Sequence, residues 1–229
     1  MIEEILPDAV VSVESFGDAV DPMLFPEEEA VVARAVAKRR AEFATVRACA
    51  RTALAKLGHP PAPLLPGERG APIWPDGVVG SMTHCADYRA CAVSSDGDTL
   101  AVGIDAEPHD RLPDGVLEAV SDPWERAWIA RLGAERPEVS WDRLLFCAKE
   151  AVYKAWFPLT RRWLDFSEAS LSVDPLERTF SARLSVTGHT AGGLAITGFR
   201  GRWLARDGLV LTTIVVPAGP DAQEQLQPR

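Results

Sequence analysis

A chain of 229 residues can bury one large core or two smaller ones, and 47% hydrophobic residues fit a globular protein rather than a disordered one. No apolar run approaches the roughly 20 residues of a membrane-spanning helix. The formal net charge of −9 argues against a nucleic-acid binder, which carries a basic face, and obliges any acidic ligand to meet a local basic patch.

The amino terminus, Met1 to Pro7, is acidic where a secretory signal is basic, so a cytoplasmic protein is expected. Ala9 to Phe16 alternates as a strand. Pro26-Glu27-Glu28-Glu29 then opens a helix, with proline suited to the first turn and the acids to the positive end of the helix dipole. The spacing predicts one long helix to Leu57, stopped by Gly58 and Pro60-Pro61, with Phe43, Val46, Ala50, Leu54 and Leu57 as its apolar stripe. Its basic residues, among them Lys38, Arg39, Arg40, Arg47 and Arg51, are concentrated for so acidic a chain. They read either as a solvated face or as a phosphate-binding patch.

Pro60 to Gly77 reads as loop and Val78 to His84 as strand. The apolar runs 90–93 and 100–104 flank Ser94-Ser95-Asp96-Gly97-Asp98, and the Asp-Gly pair predicts a hairpin between them. Helices are expected from Gly115 to Leu132, with a break near Pro123, and from Trp141 to Trp156. Strands follow over 169–173, 179–186, 199–205 and 209–216, the last two joined through Arg206-Asp207-Gly208. The order predicts an α+β fold of two similar halves, 1–102 and 103–217, followed by a polar, disordered tail over 218–229. The four cysteines, Cys49, Cys85, Cys91 and Cys147, show no CxxC pair and no zinc spacing, and read as reduced thiols in or near the core. Cys147, near Glu150, also admits a nucleophilic reading.

The chemistry lies in two segments. Asp105 and Glu107, two apart on a strand, point to one face and repel each other unless a cation lies between them. Oxygen ligands of that kind suit Mg²⁺. Glu150 and Lys154 stack four apart on a helix made largely apolar by Phe146, Val152, Tyr153, Trp156 and Phe157. A charge pair there needs compensation, which a metal and a phosphate would supply. Thr83 and His84 end their strand in Gly80-Ser81-Met82-Thr83-His84, where a hydroxyl and an imidazole can line an anion site; a hydrogen-bonded structural histidine is the plain alternative. The chain has no GxxxxGK[ST], GxGxxG or GxSxG motif.

At these residues the chain resembles the 4′-phosphopantetheinyl transferases of the Sfp/EntD type, most closely their actinobacterial members. The strand end Gly103-Ile104-Asp105-Ala106-Glu107 and the helix Phe146-Cys147-Ala148-Lys149-Glu150-Ala151-Val152-Tyr153-Lys154 match the paired family motifs, and Trp74-Pro75 and Gly80 to His84 add to the likeness. The resemblance implies a pseudo-twofold α+β fold with the active site in the cleft between two antiparallel-sheet halves. It also implies transfer of the phosphopantetheine arm of coenzyme A to a serine of an apo carrier protein, with release of 3′,5′-ADP. By the same resemblance Asp105, Glu107 and Glu150 hold Mg²⁺ (or Mn²⁺) and Glu150 is the base. Lys154 and His84 meet coenzyme A phosphates, and Arg39 and Arg47 grip its 3′-phosphate and adenine end. Those two arginines lie eight residues apart, about 80° around an ideal helix, so both can reach one ligand.

The loop Leu65 to Gly70, with Gly67, Glu68 and Arg69, matches an adenine-binding loop, but Pro66 stands where close relatives carry lysine. The implied partners are coenzyme A and acidic carrier proteins of fatty-acid, polyketide or non-ribosomal-peptide synthases, docking near Pro108 to Glu125. A monomer is implied, and Trp163 either lines an acyl tunnel or belongs to the core. On the residues alone, a metal-dependent phosphodiesterase and a non-catalytic coenzyme A-binding module remain competing readings.

Overall fold

Two antiparallel sheets organise the chain, each carrying one 20-residue helix. A computed structural model describes residues 1–20 and 22–228. The first half contains β1 (Val11–Phe16), α1 (Pro26–Val32), α2 (Ala37–Lys56), β2 (Val78–Cys85) and β3 (Tyr88–Ser95), with sheet order β1-β3-β2. The second half begins with β4 (Thr99–Pro108), α3 (Val116–Val120), α4 (Pro123–Glu135) and α5 (Trp141–Thr160). It continues with β5 (Ala169–Asp174), β6 (Thr179–His189), β7 (Ala195–Arg206), β8 (Leu209–Pro217) and α6 (Ala222–Leu226), and its sheet order is β4-β8-β7-β6-β5. Among the described residues no helix is long and apolar enough to cross a membrane.

Strand periodicity explains how the halves meet. On β3, Cys91 and Val93 pack on Cys49, Ala50 and Ala53 of α2, whereas Ala90 and Ala92 join Val102, Ile104 and Leu211 of the second half. On β4, Val102, Ile104 and Ala106 face that shared core, while Gly103, Asp105 and Glu107 face α5. The β4 amides turned toward β2 are satisfied by side chains: Ile104 N donates to Ser81 Oγ and Ala106 N to Thr83 Oγ1, each at 3.1 Å. Gly103 lets α5 lie close, because a Cβ there would stand 2.2 Å from the Ala151 carbonyl oxygen and 2.9 Å from Ala155 N. The rest of α5 buries Leu144, Leu145, Ala148, Val152 and Trp156 among Phe180, Phe199, Trp203 and Ile214.

Four expectations need correction. The long helix of the first half is two helices, separated over Ala33–Val36. The cause is Glu28, fully buried, whose carboxylate accepts from Arg51 Nη1 at 3.0 Å, Leu64 N at 2.9 Å and Phe25 N at 2.9 Å. In one straight helix Glu28 and Arg51 would lie about 34 Å apart, so α1 must fold back on α2. Second, the turn at Asp96-Gly97 forms, but 90–93 and 100–104 do not pair. β1 and β2 occupy both edges of β3, and β4 pairs with β8 instead. Third, the sheets change at that turn, so the expected 102/103 boundary falls inside β4. Fourth, the carboxy-terminal segment is ordered: Ala222 and Leu226, one turn apart on α6, are fully buried in the second-half core, and Gln227 Nε2 donates to Ala195 O at 3.2 Å. Arg229 lies outside the described residues.

Two substitutions test this packing. Gly103→Ala forces α5 off β4 and is expected to cost about 1–3 kcal/mol in urea unfolding. Arg51→Ala strands the buried Glu28 carboxylate and should cost about 3–5 kcal/mol in the same measurement.

Candidate active site

A cleft of about 1030 Å³ opens where the halves join. Its walls come from α2, the 66–74 loop and β2 on one side and from α5 on the other. Arg39, Arg47, Gly67, Glu68, Arg69, His84, Glu150 and Lys154 all line it. Among the described residues Thr83, Asp105 and Glu107 do not line it; Thr83 and Asp105 sit behind Lys154 on β2 and β4.

Lys154 Nζ donates to Asp105 Oδ1 at 2.7 Å, to Ile104 O at 3.0 Å and to Met82 O at 3.3 Å. Three acceptors exhaust its three protons. Burial pulls the Lys154 pKa down, but the Asp105 charge and hydrogen bond outweigh it and the net shift is upward, so the ammonium persists. Asp105 is 5% exposed, and its Oδ1 also accepts from Thr83 Oγ1 at 3.0 Å. Its Oδ2 is buried without a partner. An unpaired carboxylate oxygen in the interior is costly, and it marks a place for a further positive group.

Glu150 and Glu107 respond to the same charge. Burial raises the pKa of each, and Asp105 raises it further; Lys154 opposes this at Glu150, and the Arg143 hydrogen bond opposes it at Glu107. Arg143 Nη1 donates to Glu107 Oε2 at 2.9 Å. Among the described residues no three Asp, Glu, His or Cys side chains converge as a formed metal site. Glu107 and Glu150 each feel the Asp105 charge, while Asp105 and Glu107 hold separate cationic partners.

The basic helix divides by face. Arg40 pairs with Glu29 and Arg51 with Glu28, both on α1, whereas Arg39 and Arg47 turn to the cleft. Arg39 Nη1 donates to His84 Nε2 at 2.5 Å. Burial, then the Arg39 charge, lower the His84 pKa, so the ring stays neutral and accepts. Arg47 donates from Nε to Leu64 O at 3.1 Å and lies with its guanidinium carbon 3.2 Å from the Phe43 ring centroid. Burial pushes its pKa down to about 10, with Glu28 opposing, so it remains a cation at neutral pH.

The 66–74 loop is held by a Pro66–Pro72 bridge and by Gly67 N donating to Ala71 O at 2.7 Å. Arg69, at φ 53°, places its guanidinium 5.1 Å from the Trp163 ring, and Trp163 packs on Tyr153 at 5.1 Å between centroids. Trp163 is 55% exposed, so it is no core residue. The structure settles Cys147 as structural: it is fully buried, its Sγ lies 3.2 Å from Thr212 Oγ1, and burial raises its pKa well above the ordinary thiol value.

Three residues of the site escaped the sequence analysis. Glu42 lines the cleft and lies 3.7 Å from His84 Nε2 and 3.8 Å from Arg39 Nη1; its spacing of three from Arg39 was the available signal. Tyr153 also lines it, with a buried hydroxyl that has no partner. Arg143 precedes Glu150 by seven residues, two helical turns, and so shares its face of α5.

The chain is similar to known proteins along most of its length. The 4′-phosphopantetheinyl transferase N-terminal domain family matches residues 27–94, and the 4′-phosphopantetheinyl transferase superfamily matches residues 101–197. The chain is 59% identical over 228 residues to the 4′-phosphopantetheinyl transferase Svp of Streptomyces mobaraensis, covering 98% of this chain and 93% of that one. It is 51% identical over 222 residues to Npt of Nocardia iowensis (93% of this chain, 99% of the relative) and 49% identical over 224 residues to PptT of Mycobacterium tuberculosis (94% and 98%), both 4′-phosphopantetheinyl transferases. With both halves matched and near full-length relatives at such identities, the chain belongs to the 4′-phosphopantetheinyl transferase superfamily.

Proposed function

We propose that this transferase moves the 4′-phosphopantetheine arm of coenzyme A onto a serine hydroxyl of an apo carrier protein and releases 3′,5′-ADP. The observation that carries the reading is the Asp105 carboxylate: one oxygen is held by Lys154 and Thr83, the other is buried and unpartnered, and Glu150 stands beside it in the cleft wall. The donor set suits a divalent cation, Mg²⁺ or Mn²⁺, since it is all oxygen, mutually repelling and one bond short. Asp105, Glu107 and Glu150 would hold it. Once bound, the cation would offset charge on the diphosphate and on the departing phosphate.

The chain's own side chains account for the remaining work. Glu150, made more basic by burial and by Asp105, takes the proton from the carrier serine. The serine oxygen bonds to phosphorus and the bond from phosphorus to the 3′,5′-ADP oxygen breaks. Lys154 keeps its charge and can exchange its longest hydrogen bond, to Met82 O, for a diphosphate oxygen. Arg39, Arg47 and neutral His84, fixed on α2 and β2, suit the 3′-phosphate; Thr83 holds Asp105 in place. Gly67, Glu68 and Arg69 would border the adenine, with backbone groups serving where Pro66 provides no donor. In this assignment the elements through β3 bind the nucleotide end, and those from β4 onward supply metal and base. Both parts come from one chain, which suits a cytoplasmic monomer. An acidic carrier would dock over Pro108 to Glu125, where Trp124 is 55% exposed.

Asp105→Asn and Glu150→Gln preserve size while removing charge. Each is expected to lower kcat/KM at least about 10²-fold with circular dichroism unchanged, as read by the mass gain of an apo carrier protein. Full activity in either variant would overturn the assigned roles, and release of 3′,5′-ADP without carrier would identify a phosphodiesterase instead. His84 supplies a pH test. Its lowered pKa means the folded chain binds fewer protons than the unfolded one as pH falls toward 6, so its contribution to stability is lost on acidification. A ring-proton NMR titration should place its midpoint below the model-peptide value, and Arg39→Ala should move it upward.

A further inference from the structure

Arg143 carries a role that the transfer reaction as described above leaves unused. Its side chain is 14% exposed, and its guanidinium spends all three nitrogens on fixed acceptors. Nη1 donates to Glu107 Oε2 at 2.9 Å, Nε to Asp110 O at 3.0 Å and Nη2 to Arg111 O at 2.8 Å. The neighbouring Asp142 reinforces the grip, its Oδ2 accepting from Leu112 N at 2.9 Å. The fork is thus anchored to the backbone just beyond β4, and it holds Glu107 by one oxygen only. Among the described residues Glu107 Oε1 takes no hydrogen bond from the protein.

We propose that Arg143 is a positioning residue of the metal site: it fixes the Glu107 carboxylate through Oε2 and keeps Oε1 available to the cation. The inference rests on the metal reading given above. Three features carry it. A ligating carboxylate that is itself hydrogen-bonded loses less freedom on binding, which is how outer partners tune a metal site. A planar fork with three anchors cannot swing as a lysine would, so the direction of the carboxylate is set by β4 and by the 110–112 backbone. Arg143 also stands two turns before Glu150 on the same face of α5, so one helix sets the position of both acids. The site is then a rigid frame, with Asp105 positioned by Lys154 and Thr83 and Glu107 positioned by Arg143.

The test is Mn²⁺ affinity, read by electron paramagnetic resonance on the full chain saturated with coenzyme A and without carrier. Arg143→Met is expected to raise the Mn²⁺ Kd about 10- to 100-fold, and Arg143→Lys, which keeps the charge but loses the fork, to restore only part of that loss. In a Glu107→Gln background Arg143→Met should add little, because its effect passes through Glu107. Asp105→Asn serves as the control for the metal reading. If Asp105→Asn loses Mn²⁺ while Arg143→Met binds it unchanged or more tightly, the positioning role is overturned and the metal reading stands. A full further loss in the Glu107→Gln background would also overturn it, showing that Arg143 acts only through the 110–112 backbone. If Asp105→Asn retains Mn²⁺, the metal reading itself falls and takes this inference with it. Thermal unfolding verifies each variant, and Arg143→Lys carries the comparison should Arg143→Met not fold.

Discussion

The pair of half-buried Lys154 and buried Asp105 is the point at which both halves of the molecule meet. Lys154 reaches from α5 to β4 through Asp105 and Ile104 O, and to β2 through Met82 O, while Thr83 of β2 completes the hold on Asp105. Two charges taken from water are stable together only when their remaining hydrogen-bonding capacity is met. Lys154 is fully met and Asp105 is one bond short. The same pair therefore closes the junction between the sheets and leaves one Asp105 oxygen unspent. Gly103, two residues earlier on β4, is what lets α5 come near enough for the pair to form.

Around that pair the charges are sorted by partner. The chain carries a net charge of −9, yet a ligand with several phosphates needs a positive surface. α2 resolves this by spending Arg40 and Arg51 on the acids of α1 and leaving Arg39 and Arg47 toward the cleft. Burial moves Arg47 down only to about 10, so it stays charged, whereas His84, pressed by burial and by Arg39, becomes neutral and accepts a hydrogen bond. Midway along α5, Lys149 is buried against Glu125 at 2.9 Å and two backbone carbonyls, which fixes the helix right beside Glu150.

The catalytic strand and helix were legible because their spacing is local. Asp105 and Glu107 had to share a face of a strand, and Glu150 and Lys154 a face of a helix, whatever the rest of the chain did. Most elements were legible for the same reason: the strands of the second half and the break at Pro123 follow from alternation, turn residues and proline. The misreadings were non-local. Nothing near Glu28 announces that it will be buried against Arg51, 23 residues on, and that contact breaks the helix. The Asp96-Gly97 turn looked like a hairpin, but pairing is decided by which strand edges are free, and β3 had none. Ala222 and Leu226 lie in a polar stretch, and their burial depends on a surface built by β7 and β8.

Local order of the residues by itself determined which acids and bases share a face, the basic helix, the α+β class and the family. Tertiary structure alone decided which charges are paired. It assigned Arg143 to Glu107, Lys154 to Asp105 and Glu42 to the neighbourhood of His84, each across elements distant in sequence. The reason is physical: backbone periodicity sets the direction of a side chain within its own element. The partner that direction meets, and whether water is excluded from the contact, depends on how α5 packs on β4 and β4 on β2 where the two sheets meet.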